Sequence, residues 1–328
     1  MTDLQETLFP AKKDGKSGYI NSEGQIIIDF EFDFFGSREF TEGLASVLVN
    51  DKAGYIDTKG NFVIKPQFEL AMPFSDGLAY VRVDGKHGYI DKSGHFIIPP
   101  KYYSCYSFHD GYALVNDTVT SKGFFIDKTG KTKLTGRNFL LSEYREGLIN
   151  CTDNKGNWGF IDIDGNTIIN YDYKATRPFY EGKAAVTPKK EIDGKPNRKE
   201  KCGFINHQGE LIIPQIFEGA DMKFSNGFCA VWNNNLYGYI DTKGDIAIPF
   251  EFDFTDRFSE GLAAFKPKGR NKKYGYINKS GNIMIEPKFT AVEPFANGLA
   301  EVIIGKEYER FLYGYVNKQG DYIWEPRR

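Results

Sequence analysis

Nine acids or amides recur at matched positions along the chain, Asn21, Asp57, Asp91, Asp127, Asp162, Asn206, Asp241, Asn278 and Asn317. A row of carboxylates could serve general acid–base work or hold calcium. The interchange of Asp and Asn points instead to turn capping, because an amide oxygen accepts a backbone hydrogen bond as well as a carboxylate does but cannot titrate. The calcium nonapeptide pattern is absent. His87, His95, His109 and His207 form no i, i+4 pair of the kind that grips zinc. Cys105, Cys151, Cys202 and Cys229 include no C-x-x-C pair and read as reduced thiols, Cys151 and Cys229 standing where other copies carry small or apolar residues. Phosphate-binding glycine loops and the Gly-x-Ser-x-Gly elbow are missing. The expectation is therefore no enzyme, no cofactor and no metal.

The elements that carry these residues repeat. Gly88-Tyr89-Ile90-Asp91 recurs with small changes at Gly18, Gly54, Gly159, Gly203, Gly238, Gly275 and Gly314, with Phe124 replacing the glycine in one further copy. The nine copies stand 34 to 44 residues apart. A second marker runs in step, an aromatic, a spacer, an acid or amide and glycine, as in Phe40-Thr41-Glu42-Gly43 and Phe74-Ser75-Asp76-Gly77. Repeats begin near residues 8, 43, 77, 111, 147, 182, 227, 261 and 298, so residues 1–328 form a single array.

One repeat predicts three strands, Leu78 to Val83, His87 to Asp91 and Phe96 to Ile98. Asp84-Gly85 suits a tight hairpin, Asp91 to Gly94 a type I turn, and Pro99-Pro100 ends the third strand. Small residues match Ala79 in most copies, which suggests close approach of another backbone there. The third strand is apolar on consecutive positions, as in Ile26-Ile27-Ile28, which predicts cover on both faces between neighbouring repeats. Phe68 with Phe74, and Phe252 with Phe258, are expected to seal the joints. A lone 35-residue piece buries too little to fold, so stability must accumulate by stacking.

With these residues in view, the chain resembles the WG-repeat (KWG-repeat) family, named for a Trp-Gly pair before the Tyr/Phe-Ile-Asp segment. Asn157-Trp158-Gly159-Phe160-Ile161-Asp162 keeps the tryptophan, Tyr237, Tyr274 and Tyr313 substitute a ring, and Ser17, Ala53, His87 and Cys202 do not. The resemblance covers about residues 12 to 326 and implies a bacterial, β-rich repeat module with no established enzymatic activity and no catalytic residues to carry over.

The fold expected is all-β, a tandem array of about nine three-stranded antiparallel units. A propeller blade usually takes about 40 to 50 residues and four strands. Three strands in about 35 residues therefore favour an open superhelix or solenoid over a closed β-propeller. In the fourth repeat Phe124 displaces the glycine and Lys133 interrupts the third strand, which predicts a bend in the array, with a seat for a partner as the alternative.

Function is expected where the repeat is broken. The loops joining first and second strands are enlarged at 187–201, 266–273 and 305–312. The first carries Lys189, Lys190, Lys195, Arg198, Lys199 and Lys201 against three acids, and the second Lys266, Lys268, Arg270, Lys272 and Lys273 with none. These eleven bases are the candidate partner-binding rim. A net charge of −2, from 42 Lys and Arg against 44 Asp and Glu, argues against nucleic acid and anionic membranes and for another protein. The leading reading is a non-enzymatic protein-binding scaffold, with an immunity-type or effector-binding partner as its sharper form. The alternative is a glycan-binding module using exposed faces among 20 Tyr and 28 Phe. No apolar run approaches the length of about 18 residues that a membrane helix needs, and the N-terminus lacks a secretory layout, so a cytoplasmic protein is expected.

Overall fold

The computed structural model describes residues 7–33, 38–119, 123–135, 141–189, 191–192, 195–196, 201–220, 223–269, 273–305 and 311–327. Among these, every regular element is a β-strand and nearly every pairing is antiparallel and local, as the tandem pattern requires. The chain forms two compact lobes. One comprises residues 1–135, 303–317 and 321–328, the other residues 136–302 and 318–320.

The third repeat shows the plan. A two-residue leading strand, Leu70–Ala71, precedes the first strand Ala79–Val83, the second Lys86–Ile90 and the third Phe96–Tyr102, and they pair in that order. The leading strand adds to the three expected. Asp84 and Gly85 both take positive φ, 49° and 71°, giving the hairpin the twist that its strands need. The third strand does not stop at the prolines. Its register jumps from Ile98↔Tyr89 to Tyr102↔His87, and Pro99 and Pro100 lie inside the jump, where the ladder asks no amide of them. In two repeats of the second lobe the third strand runs straight on as the leading strand of the next repeat, Thr167–Thr176 and Ile246–Thr255, whereas Leu211–Phe217 and Ile283–Phe289 are followed by separate leading strands. Two seven-stranded sheets result.

That register jump explains the recurring glycine. At Gly54, Gly88, Gly159, Gly203 and Gly238 an added Cβ would stand 2.6 Å from the carbonyl oxygen of the isoleucine opposite, on the third strand. The third strand crosses so closely that only a hydrogen fits. Close approach of backbone therefore occurs at this glycine, while the Ala79 side chain is buried in the apolar joint. The fourth repeat is the internal control. Its strands Phe124–Asp127 and Thr132–Thr135 pair Phe124↔Thr135 and Phe125↔Leu134 without the second jump, so a phenylalanine is tolerated.

The third strands correct a second expectation. In the apolar triplets only the last residue is buried, as in Ile28, Ile64 and Ile98, while the first two face solvent, from 39% exposure at Ile27 to 59% at Ile246, except that Tyr322 and Ile323 are half-buried. A one-residue bulge, seen where Ile90↔Phe96 gives way to Tyr89↔Ile98, turns both neighbours outward. A continuous apolar run thus arises from a bulge on one-sided cover.

The joints between repeats hold the core. Tyr55, Ile64, Phe68 and Phe74 meet Ala79, Val81 and Ile90 of the next repeat, and Phe252 and Phe258 seal an equivalent joint with Ala263, Phe265 and Ile277. Burying each such side chain is worth about 1.5 to 3 kcal/mol, and the gain exists only when a successor is present. In the first lobe the successor of the last hairpin is the N-terminal strand Phe9–Lys13. The Tyr315 hydroxyl donates to the Pro10 carbonyl at 2.8 Å and the Trp324 indole to that of Lys12 at 3.3 Å, so the two ends of the chain meet.

Candidate functional site

The nine turn residues are occupied as caps. Asp91 Oδ1 accepts the amides of Ser93 and His95 at 2.9 and 3.0 Å, and Asn278 those of Ser280 and Asn282 at 3.0 Å each. Asp and Asn give the same geometry. The Ser93 hydroxyl leads the bonds that hold the Asp91 carboxyl below its ordinary range, and at Asp57 two backbone amides and the Asn61 side chain outweigh burial to the same end. Asp153 makes a tenth cap, in a hairpin of the fifth repeat.

The acids of the second marker work between repeats. Glu42, Asp76, Glu146, Glu181 and Glu260 adopt positive φ, which directs each carboxylate at the glycine amide that opens the following repeat. Glu42 receives Gly77 at 3.1 Å, Asp76 receives Gly111 at 2.8 Å and Glu260 receives Gly298 at 2.9 Å. Lys92 joins Glu42 at 3.1 Å and Lys318 joins Glu260 at 3.0 Å. Burial raises both glutamates, but the Gly77 amide and Lys92 at Glu42, and Lys318 and the Gly298 amide at Glu260, bring each net below the usual carboxylate range. His207 occupies the lysine's place in the sixth repeat, with Nε2 3.3 Å from Glu146 and its ring stacked on Phe179 at 4.3 Å. Among the described residues no cluster of three or more His, Cys, Asp or Glu has metal-holding geometry.

Five rim bases have described side chains. Lys189 lies 3.6 Å from Asp172, and Lys201 lies 3.6 Å from Glu218 and 3.4 Å from the Asn233 amide oxygen. Lys273 donates to the Thr290 hydroxyl at 2.8 Å, Lys266 stands 4.1 Å above the Tyr274 ring, and Lys268 is exposed. Lys195 belongs to the two-residue strand Lys195–Pro196, described in backbone only. Lys190, Arg198, Lys199, Arg270 and Lys272 lie outside the described residues. Structure thus brings Lys266 and Lys273 to the two sides of one hairpin and gives most of the described bases a local partner. Exposed ion pairs of this kind are worth about 0 to 1 kcal/mol, so the lysines remain available to exchange.

Beside the 266–273 hairpin lies an aromatic row that the sequence showed only in part. Trp232, Tyr237, Phe254 and Tyr274 follow one another across the seven-stranded sheet, with ring centroids 5.4, 6.0 and 5.6 Å apart. All four are partly exposed. They come from strands Phe228–Asn233, Leu236–Asp241, Ile246–Thr255 and Tyr274–Asn278, and Lys266 closes the row over Tyr274. Gly219 makes room at the far end, since a Cβ there would run into the Trp232 indole. The Asn234 amide donates to Glu218 at 2.8 Å and the Glu218 amide to Asn233 at 2.8 Å, tying down the hairpin that carries Trp232. Tyr237 and Tyr274 were visible as ring substitutes for the family tryptophan, whereas Trp232 and Phe254 reach the row through strand pairing.

The sequence pattern of the family described as "WG containing repeat" matches residues 18–52, 54–86, 88–117, 158–187, 203–237, 237–270 and 274–308. The unmatched stretch between 117 and 158 contains the fourth-repeat hairpin that lacks the glycine. No curated protein matches the sequence. Among solved structures, "Crystal structure of the eukaryotic initiation factor" superposes with a TM-score of 0.64 at 9% identity over 98% of each chain. BamB from Moraxella catarrhalis gives 0.44 at 13% identity over 80% of this chain and 89% of that one, and Hsv2p from Kluyveromyces lactis 0.44 at 9% over 74% and 95%. The first of these likenesses shows a shared fold and nothing about activity.

Proposed function

The chain belongs to the WG-containing-repeat family, and from that premise we propose that it is a non-enzymatic protein-binding scaffold of the cytoplasm, whose sharper form is an immunity-type or effector-binding partner. The observation that carries the proposal is a division of labour. The acids and amides of the turns, and the joint acids Glu42, Asp76, Glu146, Glu181 and Glu260, are engaged in holding the repeats, while the basic insertions at 187–201 and 266–273 are departures that the repeat pattern itself does not require. Loop variation on one rim of a repeat array is the usual way such scaffolds acquire partners. Four free, buried cysteines accord with a reducing compartment.

The test is affinity capture with the full chain against a variant in which residues 189–200 and 267–273 are each replaced by Asn-Gly, which keeps the register set by Val186↔Gly203 and Phe265↔Gly275. The proposal expects a defined protein that the wild type retains and the variant loses. Recovery of the same proteins by both, or of none, overturns it. The glycan alternative draws on exposed rings, yet Tyr19, Tyr55, Tyr89, Phe108, Phe160 and Phe179 are buried in the joints. Among the described Phe, Tyr and Trp rings Tyr106 and Tyr103 are the most exposed, at 57% and 46%, and a glycan array with Tyr106→Ser and Trp232→Ala as controls decides between the readings.

A further inference from the structure

Resting on the scaffold reading, we infer that the row Trp232–Tyr237–Phe254–Tyr274 with its Lys266–Lys268 end is a docking surface for an extended peptide that is apolar along the row and acidic at the lysine end.

The row crosses five successive strands, from Phe228–Asn233 to Tyr274–Asn278. Four strand steps of about 4.8 Å give roughly 19 Å, the length of about six extended residues. Its rings already touch, inclined by 39°, 51° and 86°, so they form one continuous apolar strip rather than a set of slots. Half-exposed Trp and Tyr rings on rigid strands present large contact area at little cost in side-chain entropy, the composition of interface hot spots. The strip is also built. Gly219 leaves space for the indole, and the Glu218–Asn233–Asn234 bonds fix the hairpin that bears it.

Charge chooses the occupant. Among the described residues Lys266, Lys268 and Lys273 outnumber the one carboxylate in contact with that hairpin, Asp253, which accepts the Gly269 amide at 3.1 Å, whereas at the Trp232 end Lys201 and Glu218 pair at 3.6 Å and leave no excess charge. An occupant acidic along its whole length would find excess base only at the Tyr274 end, because Lys201 already neutralises Glu218 at the other. A peptide carrying carboxylates at one end and apolar side chains along the remainder satisfies both ends. Single-stranded nucleic acid is disfavoured by that gradient and by rings that offer no parallel gap for a base.

The experiment pans a displayed twelve-residue random peptide library on the full chain and measures the leading peptide, fluorescein-labelled, by anisotropy, with oligo-dT20 as competitor. The expected motif is two or more aliphatic, proline or aromatic residues followed by two or more acids. Lys266→Glu with Lys268→Glu leaves every ring in place, so its melting curve should match wild type while affinity falls about tenfold or more and its salt dependence flattens. Trp232→Ala should weaken binding by a similar factor, with Trp232→Phe restoring most of it. An absence of binders, a motif without acids, indifference to both sets of variants, or tighter binding of dT20 each overturns the inference. Its failure is separable from that of the scaffold reading: a captured partner that needs the loops but ignores the row variants leaves the scaffold standing and removes this surface.

Discussion

Gly88 lies beneath the carbonyl of Ile98, and a methyl group at position 88 would stand 2.6 Å from that oxygen. The contact is to backbone, which cannot rotate away. Gly88→Ala is therefore expected to destabilise the chain by about 2 to 3 kcal/mol, the cost of forcing a packed strand aside. Gly85→Ala, at a φ of 71° but with nothing within 4 Å of the added Cβ, should cost only about 1 kcal/mol. Urea midpoints of the two variants check the order. Equal midpoints would show that the crossing strand yields.

The glycine was legible in the sequence as punctuation, but its reason was not, because the crossing strand is set by register over ten residues away. The same limit explains the third strand. Ile26-Ile27-Ile28 reads as buried on both faces until a bulge is known to turn Ile26 and Ile27 outward. Turn acids such as Asp91 were readable in full, since their bonds reach only two and four residues along the chain. The basic loops were readable as insertions, whereas Asp172, Glu218 and Thr290, which meet Lys189, Lys201 and Lys273, arrive from other strands. Trp232 joins Phe254 and Tyr274 by pairing across two repeats, a relation that composition does not contain.

Six repeats staple themselves to the next through a tyrosine. Tyr19, Tyr55, Tyr89, Tyr239, Tyr276 and Tyr315 donate to the carbonyls of Arg38, Met72, Tyr106, Asp256, Glu293 and Pro10. Phe125, Phe160 and Phe204 fill the matching places in the other three. Tyr89→Phe should lose about 1 kcal/mol, since the ring stays packed and only the hydroxyl bond goes. Burial pushes the phenols of Tyr55, Tyr89 and Tyr276 well above 10 and that of Tyr102 up to about 12. Above pH 10 the unfolded chain loses these protons while the folded chain keeps them, so stability must fall as pH rises from there. Tyr55→Phe should flatten that alkaline limb, read as the urea midpoint between pH 9 and 11.

On the acid side the sign is reversed. Carboxyls at Glu42, Asp57, Asp91 and Glu260 are held below their ordinary values, so the stability they contribute is present above about pH 4 and is lost as pH falls through the folded values. Asp91→Asn keeps the oxygen that accepts the Ser93 and His95 amides and removes the titration. It should match wild type at pH 7 and unfold less readily near pH 3, whereas Asp91→Ala should be weaker at both. Acid titrations followed by circular dichroism distinguish the three chains, and an Asn variant as weak as the Ala variant at pH 7 would refute the capping role.

The cysteines give a readout of the joints themselves. All four are buried, and burial drives the Cys105 thiol to about 12 and that of Cys202 to about 11, with Cys151 also raised. Only the thiolate attacks a disulfide reagent, so at pH 8 the folded chain should react with dithionitrobenzoate far more slowly than the unfolded chain, in which each thiol ionises near 8.5. Cys105 belongs to the cluster that joins the third repeat to the fourth, and Cys202 and Cys229 to the cluster that joins the sixth to the seventh. Because each cluster is shared by two repeats, a break at one joint exposes its own thiols without exposing those of the other. Gly88→Ala, which strains the third repeat, should therefore accelerate labelling of Cys105 more than of Cys202. Mass spectrometry of partially labelled protein separates the sites, and equal acceleration at both would mean that the chain unfolds as one cooperative body rather than joint by joint.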